Sequence, residues 1–353
     1  MTVSRRTGIV KDGRYLQHAT GMDHPESPER LAAVYEMLDN PHMSWKYESI
    51  EPREATNEEI AYVHTLPYIR EIAGTAGKDC VFLDSDTIAG PESYEIAKLA
   101  AGGMINAIDA VMTGEADNAF AFVRPPGHHA GAGNSEGFCI FNNVAIGAMH
   151  AMKKHGLIKI LIVDWDLHHG NGTQKMFYSD RRVLYFSTHQ YPYYPGTGSL
   201  LEIGEGQALG YTVNVPLRRG AVNGTFVSAF RRILEPIANA FAPELILVSA
   251  GYDIYYQDPL GGMRVTPDGF AAMARVLLNI ADRCCSGRVV GVLEGGYHTV
   301  GLARSAKATL EEMFDETQWT DRKLDELEQH ADEENQPVIQ SVIQGMRPYW
   351  NVF

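Results

Sequence analysis

The sequence has few cysteines and no long apolar run, and both absences exclude classes of protein. Its four cysteines, Cys80, Cys139, Cys284 and Cys285, form no Cys-x-x-Cys pair. A structural zinc ribbon and a disulfide framework are therefore excluded, and we expect a reducing, cytoplasmic environment. Residues 1–10 lack the apolar stretch of a secretory signal, and no apolar run approaches 18 residues, so we expect no membrane partner.

Positive charge is also scarce. The chain has 30 lysines and arginines against 44 aspartates and glutamates, a net charge of −14, and no run of basic residues. Because nucleic-acid binding depends on cationic patches, we expect no nucleic-acid partner. The 353 residues are 45% hydrophobic, which is typical of a folded protein of one or two domains.

Short, continuous apolar runs predict strands that are buried on both faces. They lie at residues 119–123, 158–163, 183–186, 211–215, 245–249 and 289–293. Helical patterns lie between them at residues 94–112, 142–154 and 267–283, with Ser93, Asn142 and Thr266 at their starts. This alternation predicts an α/β fold with a parallel sheet between helices. We expect one domain, residues 1–353, with a packed helical tail at about residues 315–353.

Polar residues follow four of these runs. They are Arg124, His128 and His129 after the first, Asp164, Asp166, His168 and His169 after the second, Gly251 to Asp253 after the fifth, and Glu294 to Tyr297 after the last. Because ligands bind outside the carboxyl ends of parallel strands, we expect these segments to converge on one site.

Asp166 and His168 are spaced to point to one side of an extended segment, and Asp253 could add a third ligand. Aspartate and histidine side chains with an open position suit a catalytic zinc ion. An isolated Asp-x-His, however, is more typical of an ordinary loop. The clustering of Asp164 with these residues favours a metal site, because buried acids need a partner.

His128 and His129 follow a Pro-Pro-Gly turn. They could be a general base and an auxiliary histidine, with Asp164 and Asn171 as acceptors, or merely two half-exposed rings. Tyr297, after a glycine pair, reads on its own as a core tyrosine at a strand end.

Six motifs resemble those of the zinc-dependent histone deacetylase family. Their residues are most similar to its class II branch, which includes bacterial histone-deacetylase-like amidohydrolases. They are RPPGHHA (124–130), GFCIFNNVAI (137–146), DWDLHHGNGT (164–173), YPGTG (194–198), GYDIYYQDPLGG (251–262) and EGGY (294–297). The similarity extends from HPESPERL at residues 24–31 to about residue 310. It implies a single-domain arginase/deacetylase-type α/β/α sandwich with a mostly parallel sheet.

The resemblance also implies roles. Asp166, His168 and Asp253 would bind one catalytic Zn²⁺, and a metal-bound water would attack the acyl group. His129 would be the general base and later the acid, with Asn171 as its partner. His128, backed by Asp164, would assist electrostatically, and Tyr297 would donate a hydrogen bond to the substrate carbonyl.

Further positions are implied for the substrate and for potassium. Gly137, Phe138 and Tyr194 would line the acyl-lysine tunnel, and Arg30 an acetate exit. One K⁺ would use the side chains of Asp164 and Ser187 and the main chain of Asp166, His168 and Thr188, and a second the main chain of Phe177, Asp180 and Val183.

Three residues depart from common family patterns. Asn171 stands where class I members have aspartate, so His129 has a neutral partner. Tyr194 replaces the usual tunnel phenylalanine. Leu260 occupies the position where polyamine-selective relatives carry a glutamate, which favours acyl-lysine proteins or peptides as substrates.

Three functions follow from these patterns. The first is a zinc amidohydrolase that removes acetyl or related acyl groups from lysine side chains. The second is a deacetylase of small acylated amines such as acetylpolyamines. The third is an inactive module that binds acyl-lysine, and the intact zinc set, histidine pair and Tyr297 argue against it.

Overall fold

Strands and helices alternate along residues 5–316 and 318–353, which a computed structural model describes. The strands are β1 Thr7–Val10, β2 Tyr47–Ile50, β3 Val81–Phe82, β4 Ile88–Ala89, β5 Asn118–Ala121, β6 Ile160–Asp164, β7 Val183–Gln190, β8 Thr212–Leu217, β9 Leu245–Ala250 and β10 Val289–Leu293. The helices are α1 Pro28–Asp39, α2 Asn57–Ile60, α3 Leu66–Ala73, α4 Ser93–Thr113, α5 Asn143–His155, α6 Asn171–Phe177, α7 Asn223–Ala229, α8 Glu235–Phe241, α9 Pro267–Cys284, α10 Thr299–Met313, α11 Asp321–Glu328 and α12 Gln336–Met346. Residues 1–4, part of the segment in which a secretion signal was sought, lie outside the described residues.

One parallel sheet of eight strands forms the centre, in the order β2-β1-β5-β10-β9-β6-β7-β8. Every residue of β5 to β10 is buried, which explains why these strands read as continuous apolar runs. Strands β3 and β4 form a separate antiparallel pair. The predicted α/β class with a mostly parallel sheet is confirmed.

Helices flank this sheet in two groups. Helix α9 contacts α7, α8 and α10, and α10 contacts α1, whereas α4 packs along α5. The predicted starts hold closely: the Asn142 side chain accepts a hydrogen bond from Ala145 N at the start of α5, and α9 begins at Pro267. Ser93 is the first residue of α4 rather than its cap, and its hydroxyl accepts a hydrogen bond from Gly90 N at 2.8 Å.

Helix α4 is long and apolar enough, by length and composition alone, to cross a membrane. Its most apolar window, however, is 72% buried inside the protein. The helix contacts β1, β5 and α5. Its apolar character is therefore accounted for by the core.

The C-terminal stretch holds α11, which contacts α7, and α12, which contacts the edge strand β8. Asn335 binds the backbone just after β8: its Oδ1 accepts from Arg218 N at 2.7 Å, and its Nδ2 donates to Arg218 O at 3.4 Å. Before β8, Gly210 O accepts a hydrogen bond from Trp350 Nε1 at 2.8 Å. That residues 315–353 form one tail of a single domain stays a prediction.

Candidate active site

Four loops meet at the carboxyl edge of the sheet, as the sequence predicts. They follow β5, β6, β9 and β10, which are neighbours in the sheet order β5-β10-β9-β6. Parallel strands necessarily present their carboxyl ends at one edge, so residues far apart in the chain become adjacent. The histidine pair, the buried aspartates and Tyr297 all stand on these four loops.

Asp166, His168 and Asp253 form one buried cluster, with potential ligand atoms within 4.8 Å of one another. His168 Nδ1 lies 3.1 Å from Asp166 Oδ1 and 3.1 Å from Asp253 Oδ2. Burial lowers the pKa of His168, but the hydrogen bonds to both carboxylates outweigh it and raise the pKa to about 10. Two carboxylates at this depth therefore favour a cation between them.

The cluster also fits a metal ion by its donor atoms and its surroundings. Asp253 Oδ2 is buried and has His168 Nδ1 as a polar neighbour at 3.1 Å, whereas Asp253 Oδ1 accepts from Leu167 N at 2.8 Å. A side chain at Gly251 would come within 2.0 Å of Asp166 Oδ2, and one at Gly295 within 2.4 Å of Asp253 Oδ2. Carboxylate and imidazole donors with this spacing suit Zn²⁺.

His128 lies behind the cluster and is tied to an acid. Its Nδ1 lies 3.0 Å from Asp164 Oδ2, which also accepts a hydrogen bond from the Tyr185 hydroxyl at 3.1 Å. Burial lowers the pKa of His128, but Asp164 and Asp166 more than offset it and hold the pKa well above its usual value. The two carboxylates therefore favour the protonated form of His128.

His129 has a different environment. Its Nδ1 lies 2.8 Å from Asn171 Oδ1, a neutral partner. Burial and the neighbouring His128 and His168 hold the pKa of His129 well below its usual value. The surroundings of the two adjacent histidines, 4.1 Å apart between ring centres, thus shift their pKa values in opposite directions. This is the separation of pKa values that acid–base chemistry uses.

The Tyr297 ring packs against the guanidinium of Arg30. The Arg30 guanidinium lies 4.8 Å from the centre of the Tyr297 ring and donates to Gly296 O and Glu294 O, each at 2.6 Å. The Tyr297 backbone N donates to Asp258 Oδ2 at 2.6 Å. Loss of hydration raises the pKa of Tyr297 well above its usual value, so the hydroxyl stays protonated and can donate.

The predicted tunnel residues lie around this centre. The Phe138 ring lies edge-on to Tyr297 at 5.9 Å, and the Tyr194 ring edge-on to His129 at 5.3 Å. Gly137 has a φ of +55°, and a side chain there would come within 2.5 Å of His129 and 3.1 Å of the Tyr194 hydroxyl. Gly137 therefore leaves the space between the aromatic walls open.

Leu260 is half-buried and lies beside the exposed Tyr193, and we call these two residues the rim. The Tyr193 hydroxyl donates to Leu260 O at 2.9 Å, and the Tyr193 ring stacks on His168 at 5.7 Å. Tyr193 therefore connects Leu260 to the Asp166–His168–Asp253 cluster. Nothing in its sequence motif singled it out, because its role depends on stacking across two loops.

The residues predicted to bind potassium fall into two places. Asp164 and Ser187 are register partners on β6 and β7, and the adjacent Thr188 has a buried hydroxyl without a partner among the described residues. Phe177 and Asp180 lie in the turn that leads to Val183 at the start of β7. Potassium binding at either place stays a prediction.

Sequence reasoning missed the buried charges that support the site. Glu26 accepts from Arg30 at 2.8 Å and from Arg124 at 2.5 and 2.8 Å. Glu294 Oε2 accepts from Gly127 N at 2.6 Å, which fixes the loop that carries His128. Both glutamates lie inside family-like motifs, HPESPERL and EGGY, which was the available signal.

A parallel α/β sheet, with an Asp–His–Asp cluster of candidate metal ligands, a histidine pair and a tyrosine at its carboxyl edge, is the arrangement of a metal-dependent hydrolase. Residues 24–313 match the histone deacetylase domain, and the chain belongs to the histone deacetylase family. The resemblance inferred from the motifs is thereby confirmed, as are the deacetylase fold and activity class that it implied.

Curated relatives agree with this assignment. The chain is 43% identical over 297 residues to a probable deacetylase of Archaeoglobus fulgidus, which covers 84% of this chain and 82% of that protein. It is 42% identical over 305 residues to human polyamine deacetylase HDAC10, covering 82% of this chain but 44% of that protein. It is 37% identical over 304 residues to a histone deacetylase-like amidohydrolase of Pseudomonas aeruginosa, covering 85% and 80%.

Among solved structures, the HDA15 HD domain matches with a TM-score of 0.91 at 35% identity. The match covers 99% of this chain and 96% of that one. The eight-stranded parallel sheet and its flanking helices are therefore those of a histone deacetylase domain.

Proposed function

We propose that this protein is a zinc-dependent amidohydrolase that removes acetyl or related acyl groups from lysine side chains. The observation that carries the proposal is the buried Asp166–His168–Asp253 cluster, with the His129 ring beside His168 at 6.0 Å and the Tyr297 ring beside Phe138 at 5.9 Å. Zn²⁺ bound there would polarise the amide carbonyl and lower the pKa of a coordinated water. Side chains of the protein itself would carry out the proton transfers and stabilise the oxyanion.

His129 suits the role of general base. Its low pKa keeps the ring neutral, and Asn171 Oδ1, 2.8 Å from Nδ1, favours a proton on Nδ1 and a free lone pair on Nε2. Nε2 can then take a proton from the attacking water and return it to the leaving amine nitrogen. The products are a carboxylate and a free lysine amine.

Tyr297 suits the role of oxyanion donor. Its protonated hydroxyl can donate to the substrate oxygen as negative charge develops there, while Arg30 and Asp258 fix the residue's position. The charged His128 adds a fixed positive charge nearby, which Asp164 stabilises. Both features favour a negatively charged transition state over a neutral substrate.

The rim supports acyl-lysine peptides over acetylpolyamines. Leu260 offers no negative charge to a second ammonium group. Arg218 and Arg219 are exposed, and neither guanidinium has an ion-pair partner among the described residues. They lie close to the loop that carries Leu260, because Gly220 N donates to Gly262 O at 2.9 Å. Unpaired cations here repel a polyamine and tolerate an acidic or neutral peptide.

Acetylpolyamine hydrolysis remains the second candidate function, because one relative is a polyamine deacetylase. The net charge of −14 also attracts polyamines over long range. That attraction is screened at physiological ionic strength, whereas the rim arginines act at short range.

We also propose that K⁺ binds beside β6 and β7 as a structural ion. Asp164 supports the proposal, because its carboxylate is fully buried and the residue is the register partner of Ser187. Replacing Ser187 by alanine should weaken any K⁺-dependent rise in melting temperature. An unchanged K⁺ dependence would argue against the first of the two sites.

Turnover of a panel of acyl-lysine peptides and acetylpolyamines tests the proposed function. Purified zinc-loaded protein should hydrolyse acetyl-lysine peptides with higher kcat/KM than any acetylpolyamine at about 0.15 M salt. Asp253→Ala protein is the matched inactive control. Binding of acyl-lysine without turnover would instead support the inactive binding module.

A further inference from the structure

Asn171 presents two chemically different ends to two different neighbours. Its Oδ1 lies 2.8 Å from His129 Nδ1, and its Nδ2 donates to Glu136 Oε1 at 2.8 Å. The three side chains thus form one line, from a partly exposed carboxylate through a neutral amide to a buried imidazole. Glu136 and His129 both lie in the loop after β5, and Asn171, the first residue of α6, lies between them.

The orientation of this amide decides which nitrogen of His129 carries the proton. With Oδ1 toward the ring, Nδ1 carries hydrogen and Nε2 keeps a lone pair. With the amide reversed, Asn171 Nδ2 would donate to Nδ1, and the proton would move to Nε2. A neutral histidine protonated on Nε2 cannot accept a proton there, so it cannot act as the base.

An aspartate at this position would not need orienting, because both of its oxygens accept. Asparagine does need it, since its two ends are nearly equal in shape. We propose that Glu136 is a positioning residue: its Oε1 accepts from Asn171 Nδ2 and thereby keeps Oδ1 on His129. This inference rests on the proposed function, because it assigns Glu136 to the same base.

The backbone holds Glu136 firmly in this place. Glu136 and Cys139 pair across a tight turn through Cys139 N to Glu136 O at 3.0 Å and Glu136 N to Cys139 O at 3.3 Å. The two residues between them, Gly137 and Phe138, have φ values of +55° and +69°. A bulky residue at positive φ is uncommon, so the turn is specified by its surroundings. The same turn therefore places a tunnel wall and the carboxylate.

Other polar groups near Glu136 do not replace this role. Asn134 Nδ2 reaches its second oxygen, Oε2, at 3.4 Å. Glu136 also lines a cavity of about 480 Å³ together with Glu202, Glu205 and Lys175. Glu205 lies in this cavity but bonds Ser179 rather than Asn171, which makes it a matched acidic control.

The test is Glu136→Ala in two backgrounds. In the Asn171 protein, we expect kcat to fall about 10- to 100-fold with KM, zinc content and melting temperature nearly unchanged. In an Asn171→Asp background, the same change should cost nothing or raise kcat, because the introduced carboxylate needs no orienting and repels Glu136. Glu205→Ala should leave kcat within about twofold in the Asn171 protein.

Equal losses of kcat in both backgrounds would overturn the role of Glu136. Absence of turnover by the unmodified protein would instead contradict the proposed function. Nitrogen-15 NMR of labelled histidine then tests the orientation without turnover, with His129→Ala for assignment. We expect the Nδ1-protonated form at His129 and a mixture in Glu136→Ala, and an unchanged spectrum would overturn the inference.

Discussion

The Arg30 guanidinium lies 4.8 Å from the centre of the Tyr297 ring. Arg30 is buried and donates at 2.8 Å to Glu26, a carboxylate that it shares with Arg124. A cation against the ring face fixes the plane of the phenol. Tyr297 can therefore be tested by removing its hydroxyl alone.

Tyr297→Phe should lower kcat by at least about 10²-fold, because one oxyanion donor is lost. KM, zinc content and melting temperature should stay near those of the unmodified protein, since the ring and its contacts with Arg30 and Phe138 remain. Steady-state kinetics and elemental analysis check this. Near-normal kcat would make Tyr297 a packing residue.

Asp253→Ala should abolish both zinc retention and turnover. The change removes a buried carboxylate whose Oδ2 lies 3.1 Å from His168 Nδ1, within the candidate ligand cluster. Asp268→Ala, at an exposed position in the first turn of α9, should keep one zinc per chain. Full zinc occupancy in the Asp253→Ala protein would show that the cluster is not the metal site.

Leu260→Glu should move kcat/KM toward acetylpolyamines by about tenfold or more. A carboxylate at the rim gains up to a few kcal/mol from a partly desolvated ammonium at ~4 Å, although Arg218 and Arg219 reduce the gain. Ile158→Glu is the control, because it adds the same charge at an exposed position just before β6. This position is at the amino-terminal end of the strand, away from the carboxyl edge that carries the site. If the unmodified protein already prefers acetylpolyamines to every acyl-lysine peptide, the argument from Leu260 fails.

Acid should destabilise the fold partly through His64. Burial lowers the pKa of this histidine to about 4, and its Nε2 accepts from Asn142 N at 2.9 Å, so the folded state keeps it neutral. Below pH ~6.5 the unfolded chain binds a proton that the folded chain refuses, so the free energy of unfolding falls until about pH 4. This histidine alone can account for up to about 3 kcal/mol of that fall.

His64→Gln removes the titrating group but keeps an acceptor. The variant should be less stable at pH 7.5, and its free energy of unfolding should depend less steeply on pH between about 6.5 and about 4. Denaturant titrations at several pH values measure both effects. An unchanged slope would show that His64 is already protonated or hydrated in the folded state.

The central strands and the chemical residues could be predicted from the sequence because each leaves a local signal. Buried strands such as β6 and β9 read as continuous apolar runs, and polar residues directly follow them. Strands β1 and β2 were missed. Strand β1 has only two large apolar residues, and β2 is a partly exposed edge strand with two charged or polar positions.

Partnerships across the fold could not be predicted in the same way. Glu136 is ordinary in sequence, and it acquires a role only because the turn at Gly137–Phe138 brings it to Asn171. Arg124 likewise meets Glu26 across 98 residues of chain. Such contacts depend on loop conformation, which no apolar period or short motif encodes.

The hydrogen bonds that Asn335 and Trp350 make at the two ends of β8 have a consequence for self-association. An edge strand with free backbone groups is a template on which a second molecule can add a strand and begin aggregation. Here the tail occupies Arg218 after the strand and Gly210 before it. Removing these two side chains would expose both ends of the edge, and the protein should then become prone to intermolecular strand pairing at high concentration.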